Sequence, residues 1–175
     1  MQELKLSCFI FNTPLGWMGI LGSQDGLRKL ILPQLSLEQA LHLLNEFALA
    51  CYTEKPGEAE TNYFGDLPQR IKSYLCGKLV SFPDKLDLSW ASSFRRDVWK
   101  VTESIPYGET RAYAWIAGEL NKPEAARAVG QALARNPLPI IIPCHRVIRS
   151  DGTPGGFSGG KSWKQRLLEI EAKAT

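Results

Sequence analysis

The chain has 175 residues, 44% of them hydrophobic and 22% charged, with a formal net charge of +3. That length suits one large domain or two small ones, each with its own core, and the ordinary composition excludes a disordered chain. No apolar run reaches the roughly 20 residues that span a bilayer, and the opening MQELKLSCFIF lacks the features of a secretory signal, so a cytoplasmic protein is expected.

Three short strands come first: LKLSCFIF (4–11), WMGIL (17–21) and LRKLIL (27–32). The turn sequences NTPLG and SQDG between them predict an antiparallel meander. Ser36 then caps a helix, LEQALHLLNEFALACY, in which Leu37, Leu41, Leu44 and Ala48 recur at helical spacing. His42 lies in this helix with no partner near in sequence and reads as structural. TEKPGEAETN is a polar loop, LPQRIKSYLCG a short helix closed by Gly77, and SFPDKLDLSW the linker.

The second half changes character. Ser93 precedes FRRDVWKVTESI, which carries Phe94, Val98, Val101 and Ile105 on one face. After the turn PYGET, Thr110 opens the helix RAYAWIAGEL, with Tyr113, Ile116, Ala117 and Leu120 as its apolar stripe. The tight turn NKP leads into EAARAVGQALARN, which must stop before Pro137. Two short helices and a three-residue turn give helix-turn-helix geometry, which many helical hairpins share. Arg127, Gln131 and Arg135 follow one another at i, i+4 and i+8 on one face of the second helix, Val129 and Leu133 point to a core, and alanines with Gly130 keep the helix thin. It is either a close-packed alanine helix with solvated arginines or a narrow helix suited to a nucleic-acid groove. The fold class expected is α+β, with a small antiparallel sheet and helices over residues 1–88 and a mostly helical, helix-turn-helix (winged-helix-like) domain over 89–175.

Charge and cysteine usage narrow the choice. Residues 1–90 carry 8 basic and 10 acidic side chains, and residues 91–175 carry 13 and 8. No acid stands between Glu124 and Asp151, a stretch that holds Arg127, Arg135, Arg146 and Arg149 and favours an anionic partner such as a phosphate backbone. The irregular spacing of Cys8, Cys51, Cys76 and Cys144 points to neither a disulfide framework nor a zinc site, and the first three read as small core or half-buried residues.

Cys144 is different. It ends the run PLPIIIPCHRVIR, between Pro143, which restricts the backbone, and His145. A reactive cysteine needs a depressed pKa or a nearby base. Neighbours in an extended chain point opposite ways, so His145 acts either through a water or across a backbone turn at Cys144. Glu171, on the C-terminal helix SWKQRLLEIEAK with Trp163, Leu167 and Ile170 facing inward, is the candidate to orient the imidazole. The alternatives are a buried strand that ends in cysteine and a thiol protease, the latter an odd companion for a basic helix-turn-helix. GGFSGGKS (155–162) satisfies the phosphate-loop pattern, yet it follows a turn, SDGTPG, rather than a strand. Only one helix's worth of chain follows it, so its glycines read as structural and no nucleotide is expected.

The set PCHRVI preceded by NPLPIII, ARAVGQAL upstream, GGFSGGKSWKQRLLEIE downstream and FRRDVWKVTESIPYGETRAYAWIA before them resembles the O6-alkylguanine-DNA alkyltransferases, the methylated-DNA–protein-cysteine methyltransferases. The likeness covers nearly all of residues 90–171, while the first 85 residues match only in general pattern. It implies repair of double-stranded DNA by irreversible, single-use transfer of an alkyl group from O6-alkylguanine, and by extension O4-alkylthymine, to Cys144. His145 would draw off the proton through a water, and Glu171 would steady the histidine. Neither cofactor nor metal is implied, and a monomer is expected. The recognition helix would enter the minor groove with Ala126, Arg127, Gln131 and Arg135, Arg127 filling the stack where the guanine swings out. Tyr113 would rotate the phosphate and donate to the everted base. Asn136 would join the recognition helix to an active-site strand. Pro139, Phe157 and Ser158 would wall the pocket. Phe157 stands where the family often has tyrosine, ligands for the structural zinc of some members are missing, and the cysteine that related non-repair binders replace is present.

Overall fold

Alternating apolar residues and two tight turns build the first half. In the computed structural model, which describes residues 6–45, 52–53 and 64–173, β1 (Leu6–Thr13), β2 (Gly16–Ser23) and β3 (Gly26–Gln34) form the expected antiparallel meander. The β1–β2 register runs unbroken from Leu6↔Ser23 to Thr13↔Gly16. Thr13 closes the hairpin by donating its hydroxyl to the Gly16 carbonyl at 2.7 Å. Gly26 has φ +139, and a Cβ there would collide with the backbone of Lys85, so glycine is required.

The helix after Ser36, α1 (Leu37–Asn45), lays Ala40 and Leu44 on the sheet against Cys8, Ile10, Leu21 and Ile31. Its expected continuation over 46–51 lies outside the described residues, and Tyr52, expected as its last residue, belongs instead to a strand. Beyond it β4 (Tyr52–Thr53) adds to the sheet edge in parallel with β1, giving the order β3-β2-β1-β4. α2 (Leu67–Leu75) buries Leu67, Ile71, Tyr74 and Leu75. Gly77, at φ +81, ends it in a Schellman motif, with Gly77 N–H on the Tyr74 carbonyl and Lys78 N–H on the Ser73 carbonyl. The segment expected as linker is tied down over its first part: Leu27 exchanges backbone hydrogen bonds with Lys85 and Asp87, and buried Asp87 accepts from Ser23 and Arg28. The chain divides into two compact units, Met1–Asp87 and Leu88–Thr175.

One reading of the cysteines is overturned. Cys8 lies in the core as expected but is disulfide-bonded rather than a thiol, and Cys76, expected as a core or half-buried residue, is free and exposed; Cys144 is free and buried. Spacing along the chain does not reveal which thiols the sheet brings together, and Cys51 falls outside the described residues. A cross-link that constrains the unfolded chain stabilises by about 2–4 kcal/mol. Thermal unfolding of the first unit is therefore expected to move to lower temperature under reductant. An unchanged transition would show that the bond carries no stability.

The second unit is mostly helical. α3 (Ser93–Glu103) starts one residue earlier than expected, with Ser92 at its cap position. Its buried face is Val98, Trp99 and Thr102, and the Trp99 indole donates to the Ala132 carbonyl at 3.0 Å. The stretch expected to open the next helix is instead β5 (Arg111–Ala112), and α4 (Tyr113–Glu119) follows. A short 3-10 turn at Pro123–Ala125 leads into α5 (Ala126–Ala134), which buries Val129, Ala132 and Leu133. β6 (Val147–Ile148) pairs in parallel with β5, and α6 (Lys161–Ala172) closes the unit. No described helix is long and apolar enough to cross a membrane.

Candidate active site

The apolar run before the cysteine is not the strand expected. Leu138 accepts from the Ile142 N–H at 2.8 Å, and Pro139 and Ile142 make only an isolated bridge. Within this buried loop Ile140 has φ +77, where a β-branched residue is strained by roughly 1–3 kcal/mol. Asn136 holds the loop in place. Its Nδ2 donates to the Ile142 carbonyl at 2.8 Å, and its Oδ1 accepts from Leu138 N–H at 2.9 Å. The same Nδ2 lies 3.0 Å from Cys144 Sγ. One side chain thus fixes both the loop and the thiol.

Pro143 sets the next step. Its φ of −79° and ψ of 60° are those of an inverse γ-turn, closed by Cys144 N–H on the Ile142 carbonyl at 2.7 Å. Cys144–Arg146 then form one 3-10 turn, so the backbone does turn at the cysteine. At three residues per turn the Cys144 and His145 side chains diverge by about 120°. His145 points to Glu171, with Nε2 2.7 Å from Oε1. The nitrogen left to take a proton is Nδ1.

Arg146 was expected among the charges facing an anionic partner, and the structure corrects this. The 3-10 turn swings it inward, where its Nε and Nη2 donate to the Glu171 carboxylate at 2.9 to 3.2 Å and its Nη1 to the Ile105 carbonyl at 2.6 Å. Gly108 N–H adds a further donor to Glu171 Oε2 at 2.9 Å. Glu171 is 1% exposed, and donors such as these offset the cost of burying a carboxylate. The same carboxylate thus holds both the imidazole of His145 and the guanidinium of Arg146.

Burial sets the protonation states. His145, fully buried, has its pKa lowered by desolvation, against the raising effect of Glu171, so the ring is a neutral base at neutral pH. Cys144 is 3% exposed, and burial pushes its thiol up to about 11, outweighing the Asn136 hydrogen bond that favours the thiolate. The resting cysteine is a thiol rather than a preformed thiolate, so any chemistry at this sulfur would require a base to remove its proton.

Two further groups complete the surroundings. Tyr113 heads α4, and Gly155 packs against its hydroxyl so closely that a Cβ there would stand 2.7 Å away. Lys164, a charged residue in the inward stripe of α6, is completely buried and lies 5.7 Å from the Tyr113 ring centre. Sequence reading missed Lys164 because it takes inward positions to be apolar. The expected inward residues Trp163 and Ile170 are only half-buried, and the buried stripe is Lys164, Leu167 and Glu171.

The remaining predicted residues fall as follows. Arg127 and Gln131 are exposed on α5, Arg135 is exposed at the cap position just past its end, and Ala126 at its start is half-buried. Phe157 is half-buried and Ser158 exposed in the glycine loop, whereas Pro139 is buried in the loop that Asn136 clamps. Arg149 is exposed at the turn closed by its own carbonyl and Gly152 N–H.

Residues 93–173 match the model of the 6-O-methylguanine DNA methyltransferase DNA-binding domain. A methylated-DNA–protein-cysteine methyltransferase of Mycolicibacterium paratuberculosis is 43% identical over 70% of this chain and 70% of its own. A protein of that name from Methanosarcina acetivorans is 35% identical over 93% and 96%. Among solved structures, Mycobacterium tuberculosis OGT in complex with DNA superimposes with a TM-score of 0.76 at 35% identity, covering 97% of this chain and 94% of that one. The O6-methylguanine-DNA methyltransferase of Pyrococcus kodakaraensis gives 0.69 at 27% identity over 95% and 99%. Similarity that runs through both units at this identity, with the cysteine, histidine and glutamate in one buried cluster, makes the chain a member of the 6-O-methylguanine DNA methyltransferase family.

Proposed function

We infer that this protein repairs double-stranded DNA by taking the alkyl group of O6-alkylguanine onto its own Cys144, once per molecule. The observation that carries the reading is the buried chain Asn136–Cys144 and His145–Glu171–Arg146. In the reaction the Cys144 proton passes through a water to His145 Nδ1. The sulfur attacks the alkyl carbon, and the carbon–oxygen bond breaks with guanine as leaving group. The imidazolium that forms rests on Glu171. A general base of this kind contributes roughly 10²–10⁴-fold. The thioether formed is stable, which is why the protein acts once. The DNA substrate accords with the cytoplasmic location expected from sequence.

The exposed face of α5 is the element proposed to enter the DNA. Arg127 fills the space vacated by the guanine, and Gln131 and Arg135 contact the duplex beside it. Tyr113 donates to the everted base, and Phe157 and Ser158 border the pocket. Eversion costs a few kcal/mol and least for a poorly paired base. A non-reacting damage sensor would keep these contacts but has no use for a clamped thiol beside a buried base.

The test is duplex DNA bearing O6-methylguanine, followed by peptide mass analysis. One added methyl is expected on the Cys144 peptide, and binding without an adduct would establish the sensor instead. DNA bearing O4-methylthymine, run in parallel, decides whether that lesion is a second substrate. Arg127→Ala is expected to slow transfer from duplex DNA by roughly 5- to 150-fold, equivalent to about 1–3 kcal/mol of contact. It should leave the reaction with free O6-benzylguanine unchanged, and an equal loss with the free base would refute the role in eversion.

A further inference from the structure

Arg149 has no part in the mechanism above, although it stands next to the site. It follows β6 directly and is exposed. A tight turn holds its backbone at both ends: its N–H donates to the Thr153 carbonyl and its carbonyl accepts from Gly152 N–H, each at 2.9 Å. The acid of that turn, Asp151, accepts from the Thr153 N–H at 2.9 Å and from its hydroxyl at 2.6 Å. Among the described residues nothing accepts a hydrogen bond from the Arg149 guanidinium. Arg111 and Arg146, by contrast, are paired with Glu109 and Glu171. Arg149 is thus an anchored residue whose guanidinium fork is open.

Strand register decides where that fork stands. β5 and β6 pair in parallel, Arg111 with Val147 and Ala112 with Ile148. One step further on, Tyr113 leaves the first strand and Arg149 the second. Neighbouring strands lie about 4.8 Å apart, so the two residues leave the sheet side by side. The charge of Arg149 acts on the Tyr113 hydroxyl, and also on Lys164, whose Nζ is 3.5 Å from that hydroxyl. No other arginine of the described residues acts on the Tyr113 hydroxyl.

We propose that Arg149 binds a phosphodiester group of the lesion strand, one of the two phosphates that flank the everted guanine. The proposal rests on the reading of Tyr113 as donor to that base. A nucleotide extruded by about 180° about its backbone carries its flanking phosphates towards the mouth that the base enters. Tyr113 stands at that mouth, and the open fork beside it is that of Arg149. A guanidinium matches two phosphate oxygens with parallel N–H donors. The phosphate arrives there only when the nucleotide has left the stack, so the contact favours the everted state over the stacked one. Arg127 fills the vacated space, and Arg149 holds the strand segment that left it.

The experiment compares wild type, Arg149→Ala and Arg149→Lys on a duplex bearing O6-methylguanine and on free O6-benzylguanine, which has no phosphate. The readout is the ratio of the duplex rate constant to the free-base rate constant. Arg149→Ala is expected to lower that ratio roughly 10- to 150-fold, the worth of a hydrogen bond to a charged group. Lysine keeps the charge but not the fork and should recover part of the loss. Duplexes with one phosphate at a time replaced by an uncharged methylphosphonate locate the contact. At one of the two positions flanking the lesion the replacement should slow wild type by a similar factor and leave Arg149→Ala no slower than before. A ratio that Arg149→Ala leaves unchanged, whether neither reaction slows or both slow equally, overturns the proposal. So does a flanking-phosphate loss of the same size in wild type and Arg149→Ala. Wild type that gains no methyl from the duplex overturns the repair reading itself, and this proposal with it, a result distinct from the other two.

Discussion

Cys144→Ala is expected to fold, to bind duplex DNA carrying O6-methylguanine and to accept no methyl group. The substitution removes a small buried side chain, and Asn136 keeps its hydrogen bonds to Ile142 and Leu138. The cost is therefore local, within the range of one lost sulfur contact, and the thermal midpoint should move little. Cys144→Ser sharpens the point. A hydroxyl occupies nearly the same space and still accepts from Asn136, yet it is a poorer nucleophile with a still less available proton. It too should gain no mass. The alternative acceptor is Cys76, a free and exposed thiol. Methyl on the Cys76 peptide of either variant, at the wild-type rate, would remove Cys144 from the mechanism.

Glu171→Ala should do more harm to the fold. It leaves Arg146 buried with the Ile105 carbonyl as its remaining described acceptor and takes the ion partner from His145. Breaking one side of a buried pair costs about 3–5 kcal/mol. For a domain of under 100 residues each kcal/mol is worth roughly 4–8 °C, so the second unit should lose at least about 12 °C. Glu171→Gln, which retains acceptors but not charge, should lose less stability and still react slowly, because the imidazolium is no longer neutralised. Calorimetry beside the alkyl-transfer rate separates the two effects. A Glu171→Gln protein with wild-type kinetics would reduce the residue to a structural one.

The same site gives stability a pH dependence. The folded pKa of His145 lies below its unfolded value, so the unfolded chain binds the extra proton first. The contribution is complete above the ordinary histidine value of about 6.5 and is lost as pH falls from there through the lowered folded value. Denaturant midpoints measured from pH 8 downward should fall once pH drops below about 6.5, and His145→Gln should flatten that fall.

Strands β1 to β3, the helices α1 to α3 and the helix-turn-helix were legible because local rules govern them. Period-two and period-3.6 patterns, Gly77 past a helix end and the NKP turn speak within a few residues of themselves. The reading failed where a chain segment answers to a distant partner. PLPIII has a strand's composition but is a strained loop, because Asn136 satisfies its backbone groups in place of a neighbouring strand. RA at 111–112 reads as the start of a helix but pairs with Val147–Ile148.

By itself the sequence determined that a thiol and an imidazole stand together beside a basic helix, with a glutamate one helix away, since these are matters of residue type, spacing and charge. Only the tertiary structure decided that Arg146 turns inward to hold Glu171, that Cys8 is cross-linked, and that Lys164 lies buried next to Tyr113. The reason is desolvation: whether a charged side chain faces water or is buried among partners depends on groups many residues away, and no local pattern records where they are.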